Sequence, residues 1–245
     1  MRTSNPTLRD SVFRDAPRTA SGDVMTVQGA VNKTALLLLI LVVPALWVWN
    51  RVEAAPESVG PIILLGVIGG LIAALVTIFK KTWAPITAPI YAALEGLALG
   101  GISAFFEMQF PGIVIQAVGL TFGTLGALLF AYRTGMIRAT ENFKMGVVAA
   151  TGGIALVYLV SLVMGFFGTT VPFIHESGPI GIGFSVFVVV IAALNLVLDF
   201  DFIEQGAEAG APKYMEWYAS FGLLVTLVWL YLEILRLLAK LQSRD

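Results

Sequence analysis

Residues 59–79 read VGPIILLGVIGGLIAALVTIF, twenty-one positions without one charged side chain, and the run stops at Lys80 and Lys81. At 1.5 Å of rise per residue such a helix is ~30 Å long, the thickness of a bilayer's hydrocarbon core. A strand of a soluble protein is far shorter, and a soluble helix of this length carries a polar face. The stretch therefore reads as a membrane span.

It is one of several. Upstream, residues 33–52 form an apolar run that ends in Trp47, Trp49 and Arg51, the residue types that anchor a helix at the membrane interface. Downstream come runs at 84–106, 112–132, 146–168, 179–204 and 214–240, with Pro85 and Pro89 in the first turns of the third, where proline is tolerated, and Gly206 closing the sixth. The expected fold is an all-α integral membrane protein, a bundle of seven transmembrane helices. Composition agrees: 58% of residues are hydrophobic, 13% are charged and mean hydropathy is +0.87, whereas a soluble domain is about half apolar and about a quarter charged. The expected organisation is a polar, mostly disordered tail over 1–32, a membrane domain over 33–241 and a short C-terminal tail over 242–245. The tail holds Pro6, Pro17 and a short amphipathic piece around Leu8–Phe13. The first run lacks a small-residue cleavage site, so it reads as a retained helix and not a signal peptide.

Three glycine pairs, Gly66 with Gly70, Gly96 with Gly100 and Gly119 with Gly123, place small stripes on single helix faces. Such stripes let helix backbones approach closely, and intramolecular packing is the expectation for all three. Orientation follows from Lys and Arg alone. With seven spans, one side collects Arg2, Arg9, Arg14, Arg18, Lys33, Lys80, Lys81, Arg133, Arg138, Lys144 and Lys213, and the other holds Arg51, Arg236, Lys240 and Arg244. The N-terminus is therefore expected in the cytoplasm of a multi-pass cell-membrane protein. The three C-terminal positives run against the trend, so the last run either spans or is re-entrant.

Acids inside the spans narrow the function. An ionisable group in hydrocarbon costs at least ~2.5 kcal/mol and usually has a reason to be there. Glu95 stands alone between Lys81 and Glu107, and Asp199 closes the apolar run AALNLVLD, with Asn195 one turn earlier to hydrogen-bond it. Each lies ~16 Å from the cytoplasmic end of its helix, so the two carboxyls are expected at one level of the bundle. There they would share a proton, respond to pH and, once deprotonated, transiently attract a cation such as Ca²⁺. Glu233 lies roughly 18 Å higher and has Arg236 three residues on, which suits an ordinary intrahelical pair. Asp201 and Glu204 are expected to face water at the end of the sixth helix.

Other chemistries lack their residues. A net charge of −1 gives no nucleic-acid-binding surface. The chain has no cysteine and one histidine, His175, which falls in a polar connector. Thiolate chemistry and multi-histidine zinc sites are excluded, no lysine in the interior of the last span supports a retinal linkage, and no glycine-rich phosphate loop is present. No enzyme activity and no cofactor are expected.

The stretches YAALEGLALGG (91–101), ALNLVLDFDFIEQG (193–206) and LVWLYLEILRLLAKL (227–241), with the seven-span plan, resemble the Bax inhibitor-1 family over roughly residues 30–240. The tail segment SNPTLRDSVFR (4–14) and the layout are similar to its bacterial branch, in the inner membrane. The resemblance implies a central last helix wrapped by the other six. It implies a pH-sensitive Ca²⁺ or cation leak, as in the family's bacterial members, while its eukaryotic members suppress cell death by acting on Ca²⁺ stores. A second implied role is a non-transporting protein whose partner is another membrane protein, such as a membrane-bound AAA protease. The family's pH sensor is a pair of aspartates, one late in the sixth helix and one in the seventh. Asp199 matches the first. For the second, one alignment gives Glu233 and another gives Thr226, while the acid that some members carry in the second helix is missing from 59–79.

Overall fold

The computed structural model describes residues 24–168 and 178–243. Among them it is all-helical, and seven helices are long and apolar enough to cross a membrane: α1 Val27–Ala54, α2 Gly60–Phe79, α3 Ala84–Gln109, α4 Ile113–Arg133, α5 Glu141–Phe166, α6 Pro179–Glu208 and α7 Met215–Gln242. The shortest, α2, has 20 residues, which is ~30 Å and still enough to span. The amphipathic piece at 8–13, His175 and Arg244 lie outside the described residues.

Several helix ends differ from the sequence reading. α1 begins at Val27 and not at 33, because Thr26 caps it by accepting a hydrogen bond from the Gly29 N–H at 2.9 Å. The last residues assigned to the tail are thus its first turn. α5 likewise starts early, at Glu141, behind the cap Thr140. α6 passes Gly206 and stops at Glu208, before Gly210 at φ +65°, so Asp201 and Glu204 belong to the helix and not to a loop. α7 is one uninterrupted helix of 28 residues, ~42 Å, so the re-entrant alternative falls away. It is also the most buried of the seven.

The described residues form two compact units. One comprises 24–111 and 201–225, the other 112–168, 178–200 and 226–243.

In the first unit, α3 packs against both α1 and α2, and glycines permit it. A Cβ at Gly96 would strike the Leu41 carbonyl oxygen and approach Pro44 Cγ at 2.8 Å, and one at Gly100 would strike the carbonyl oxygen of Ala45. On the other flank, a Cβ at Gly66 would lie 2.7 Å from the Leu94 carbonyl oxygen. These helix pairs meet backbone to backbone, the contact that small residues make possible in a bilayer. The third stripe differs: a Cβ at Gly119 or Gly123 meets nothing within 4 Å, so intramolecular packing does not explain that pair among the described residues. An aromatic set completes this unit, with Tyr91 edge-on to Phe221 at 5.0 Å and Tyr218 beside Phe202 and Phe221.

In the second unit, Ile154, Val188 and Ile191 form an apolar knot joined by Tyr158, Phe184, Leu194 and Trp229. Tyr132 of α4 lies 5.9 Å from the ring of Phe200.

Candidate functional site

Four acids of the spans are buried or, for Glu95, half-buried, and they fall into two classes. Glu216 and Glu233 are surrounded by donors. Glu95 and Asp199 are not.

Glu216 stands in the first turn of α7 and is fully buried. Its Oε1 accepts from the Thr26 N–H and the Thr26 hydroxyl, both at 3.0 Å, and pairs with Lys213 Nζ at 2.9 Å. Its Oε2 accepts from Lys33 Nζ, which also lies over the Trp217 ring. Gly29 leaves the room, since a Cβ there would collide with this carboxylate. Beside it, the Met25 N–H donates to the Ala211 carbonyl at 2.7 Å and Ser220 Oγ to that of Ala30 at 2.8 Å, so the start of α1 is tied to the α6–α7 turn. Sequence reasoning passed over Glu216. An acid in a first turn is ordinary, and the lysine that marks it as a node is 183 positions away.

Glu233, 2% exposed, accepts from Arg236 at 2.9 Å, the intrahelical pair expected from their spacing. The Tyr158 hydroxyl of α5 joins them, donating to Glu233 at 2.8 Å and accepting from Arg236 at 2.8 Å. One turn on, the buried Lys240 donates to Ser185 Oγ at 2.9 Å and to the Gly181 carbonyl at 3.0 Å.

Asp199 is 2% exposed, and neither carboxylate oxygen has a hydrogen-bond partner among the described residues. The expected bond from Asn195 is not formed. Both amide hydrogens of Asn195 go elsewhere, to Thr151 Oγ1 and to the Ile191 carbonyl, each at 2.8 Å, because α5 offers a hydroxyl on that face. The polar side chain that approaches Asp199 is Thr226 of α7, short of a full hydrogen bond. Of the two positions that alignment proposed opposite Asp199, Thr226 is the one acting on it, while Glu233 is held by Tyr158 and Arg236. Asp201 is half-buried and accepts from Gln205 at 2.6 Å, and Glu204 faces outward as expected.

Glu95 is half-buried on α3, one turn after Tyr91. Its Oε2 lies over Gly70, 3.2 Å from where a Cβ would stand, so the bare backbone of α2 makes space for the carboxylate. No hydrogen bond or ion pair reaches it from the described residues. Glu95 and Asp199 belong to different units, and each stands without a cation in its own. Among the described residues no three His, Asp or Glu side chains cluster as a metal site.

A family model described as Bax inhibitor 1 like matches residues 5–243, nearly the whole chain. No curated protein matches it.

Proposed function

The chain belongs to the Bax inhibitor 1 like family, and from that premise we propose that it is a pH-sensitive leak pathway for Ca²⁺ or another cation, not an enzyme, with Asp199 and Glu95 as the proton-sensing groups. The reading places it in a cell membrane of the bacterial type with the N-terminus in the cytoplasm.

One observation carries the proposal. The fold neutralises Glu216 with two lysines and Glu233 with an arginine, yet leaves Asp199 and Glu95 without a cationic partner among the described residues. An unpaired acid in a span costs at least ~2.5 kcal/mol, and a merely structural carboxyl would be removed by one substitution. Such a group persists where its change of charge is used. Deprotonated, it attracts a cation; protonated, it is a neutral polar side chain. Thr226 opposite Asp199 cannot ionise, so Asp199 faces a hydroxyl where the family's pair would set a second acid on the seventh helix.

The test is Ca²⁺ efflux from liposomes holding the purified protein, at roughly pH 6 and roughly pH 8, either side of neutrality. Efflux is expected to be faster at the higher pH, and Asp199→Asn is expected to remove the difference. Absence of efflux at both values favours the second reading, a non-transporting protein that binds a membrane protein partner such as an AAA protease. The observation behind that reading is the Glu216 node, which fixes the start of α1 to the α6–α7 turn and so presents whatever precedes Val24 from a firm base.

A further inference from the structure

Polar side chains recur at seven-residue steps on three helices of the second unit. They are Thr151 and Tyr158 on α5, Ser185 and (two steps on) Asp199 on α6, and Thr226, Glu233 and Lys240 on α7. Seven residues is close to two helical turns, so each set lines one face. Contacts join the faces: Asp199 beside Thr226, Asn195 to Thr151, Tyr158 to Glu233, and Lys240 to Ser185. The first and last of these fit a single antiparallel register of α6 on α7. Along it, Asn195 lies ~6 Å from Asp199, Glu233 ~10 Å and Lys240 ~21 Å. Asp199, Asn195, Thr226, Glu233, Ser185 and Lys240 are all buried. A polar line thus crosses most of an apolar interior. Ile154, Val188 and Ile191, with Trp229 against them, form the apolar packing between its stations.

We infer that this seam is the route by which Asp199 exchanges its proton with the aqueous phase at the Pro179/Gln242 end of the helices. The inference rests on the reading of Asp199 as the proton-sensing group. The charged and titratable groups along the seam are Tyr158 from α5 and Glu233, Arg236 and Lys240 from α7. Near Asp199 itself, α4 adds Tyr132 against Phe200. A hydroxyl accepts one proton as it gives up its own, and the Glu233 carboxylate takes up a proton and, as the acid, passes it on toward Asp199. Each station returns to its starting state, and the net change is one Asp199 carboxylate converted to the acid. Arg236 and Lys240 outnumber Glu233, which disfavours a divalent cation on the same line. Apolar packing of this kind admits water only transiently and sets the rate. With the orientation taken from the Lys and Arg distribution, Asp199 answers to the pH outside the cell.

The chain has no cysteine, so a Ser243→Cys variant treated with an impermeant label fixes vesicle orientation. The infrared carbonyl band of a protonated carboxyl that Asp199→Asn removes reports the group directly, without any ion flux. A pH jump at the Pro179/Gln242 side is expected to change that band at least about tenfold faster than a jump at the opposite side, and Tyr158→Phe or Glu233→Gln to slow it about tenfold. Glu233→Asp is expected to restore most of the rate. Thr151→Val, at a separate station, serves where either variant does not fold. Equal rates from the two sides, or parental rates in Tyr158→Phe and Glu233→Gln together, overturn the route. Failure of the leak reads differently: efflux that ignores Asp199→Asn removes the proposed function, while the band kinetics still judge the seam.

Discussion

At the scale of single residues, the division between partnered and unpartnered acids predicts opposite responses to the same chemistry. Asp199→Asn and Glu95→Gln remove a charge that nothing compensates, so both are expected to leave thermal stability in detergent unchanged or to raise it, by up to about 2 kcal/mol. Glu216→Gln removes the one anion that serves Lys33, Lys213 and Thr26, and a loss of about 2–3 kcal/mol is expected. A melting series on the three variants checks the sign; destabilisation by Asp199→Asn equal to that of Glu216→Gln would mean that Asp199 is structural after all. Glu95 and Asp199 were legible in the sequence because a lone acid in an apolar run is conspicuous whatever its neighbours do. Their surroundings were not. Helical spacing offered Asn195 as a donor to Asp199, but Thr151, 44 positions away, takes that amide. Tyr158 beside Glu233 and Lys33 beside Glu216 were hidden for the same reason. Sequence separation carries no information about which helix faces meet.

At the scale of elements, glycine spacing named the places where helices approach, and only geometry told which places are used. Gly96 and Gly100 seat α3 on the backbone of α1, and Gly66 seats it against α2. A methyl group at Gly96 or Gly100 meets a carbonyl oxygen rather than a flexible side chain, so Gly96→Ala and Gly100→Ala are expected to cost about 1–3 kcal/mol or more by overpacking. Gly119→Ala and Gly123→Ala add a methyl where nothing stands within 4 Å, and are expected to be neutral or slightly stabilising, because alanine holds a helix better than glycine by up to about 1 kcal/mol. Unfolding transitions of the four variants separate the two sets, and equal losses in both would show that the α4 stripe is packed. The pattern Gly-x-x-x-Gly is the same in all three helices; what differs is the neighbour it finds. Helix ends were misread where a cap was decisive: Thr26 starts α1 six residues early, and Gly210 rather than Gly206 stops α6.

At the scale of the whole molecule, seven spans were readable because each helix must bury a bilayer's thickness of apolar surface, a demand that no tertiary context can relax. The distribution of Lys and Arg gives an expectation of orientation that its C-terminal end opposes. Of the three C-terminal positives that oppose the trend, Arg236 is committed to Glu233 and Tyr158, and Lys240 to Ser185 and Gly181. Lys33 and Lys213 on the other side are likewise committed to Glu216, so pairing does not decide the count. The majority still lies on the side that holds Lys33, Lys80, Lys81, Arg133, Arg138, Lys144 and Lys213. The N-terminus and the α6–α7 turn are therefore expected in the cytoplasm. Single cysteines in this cysteine-free chain check it: Lys80→Cys and Lys213→Cys should react with an impermeant maleimide only after the membrane is opened, and Glu57→Cys in intact cells. The reverse pattern would invert the molecule. It would also carry the Pro179/Gln242 end of the polar seam into the cytoplasm, so that Asp199 would answer to internal rather than external pH.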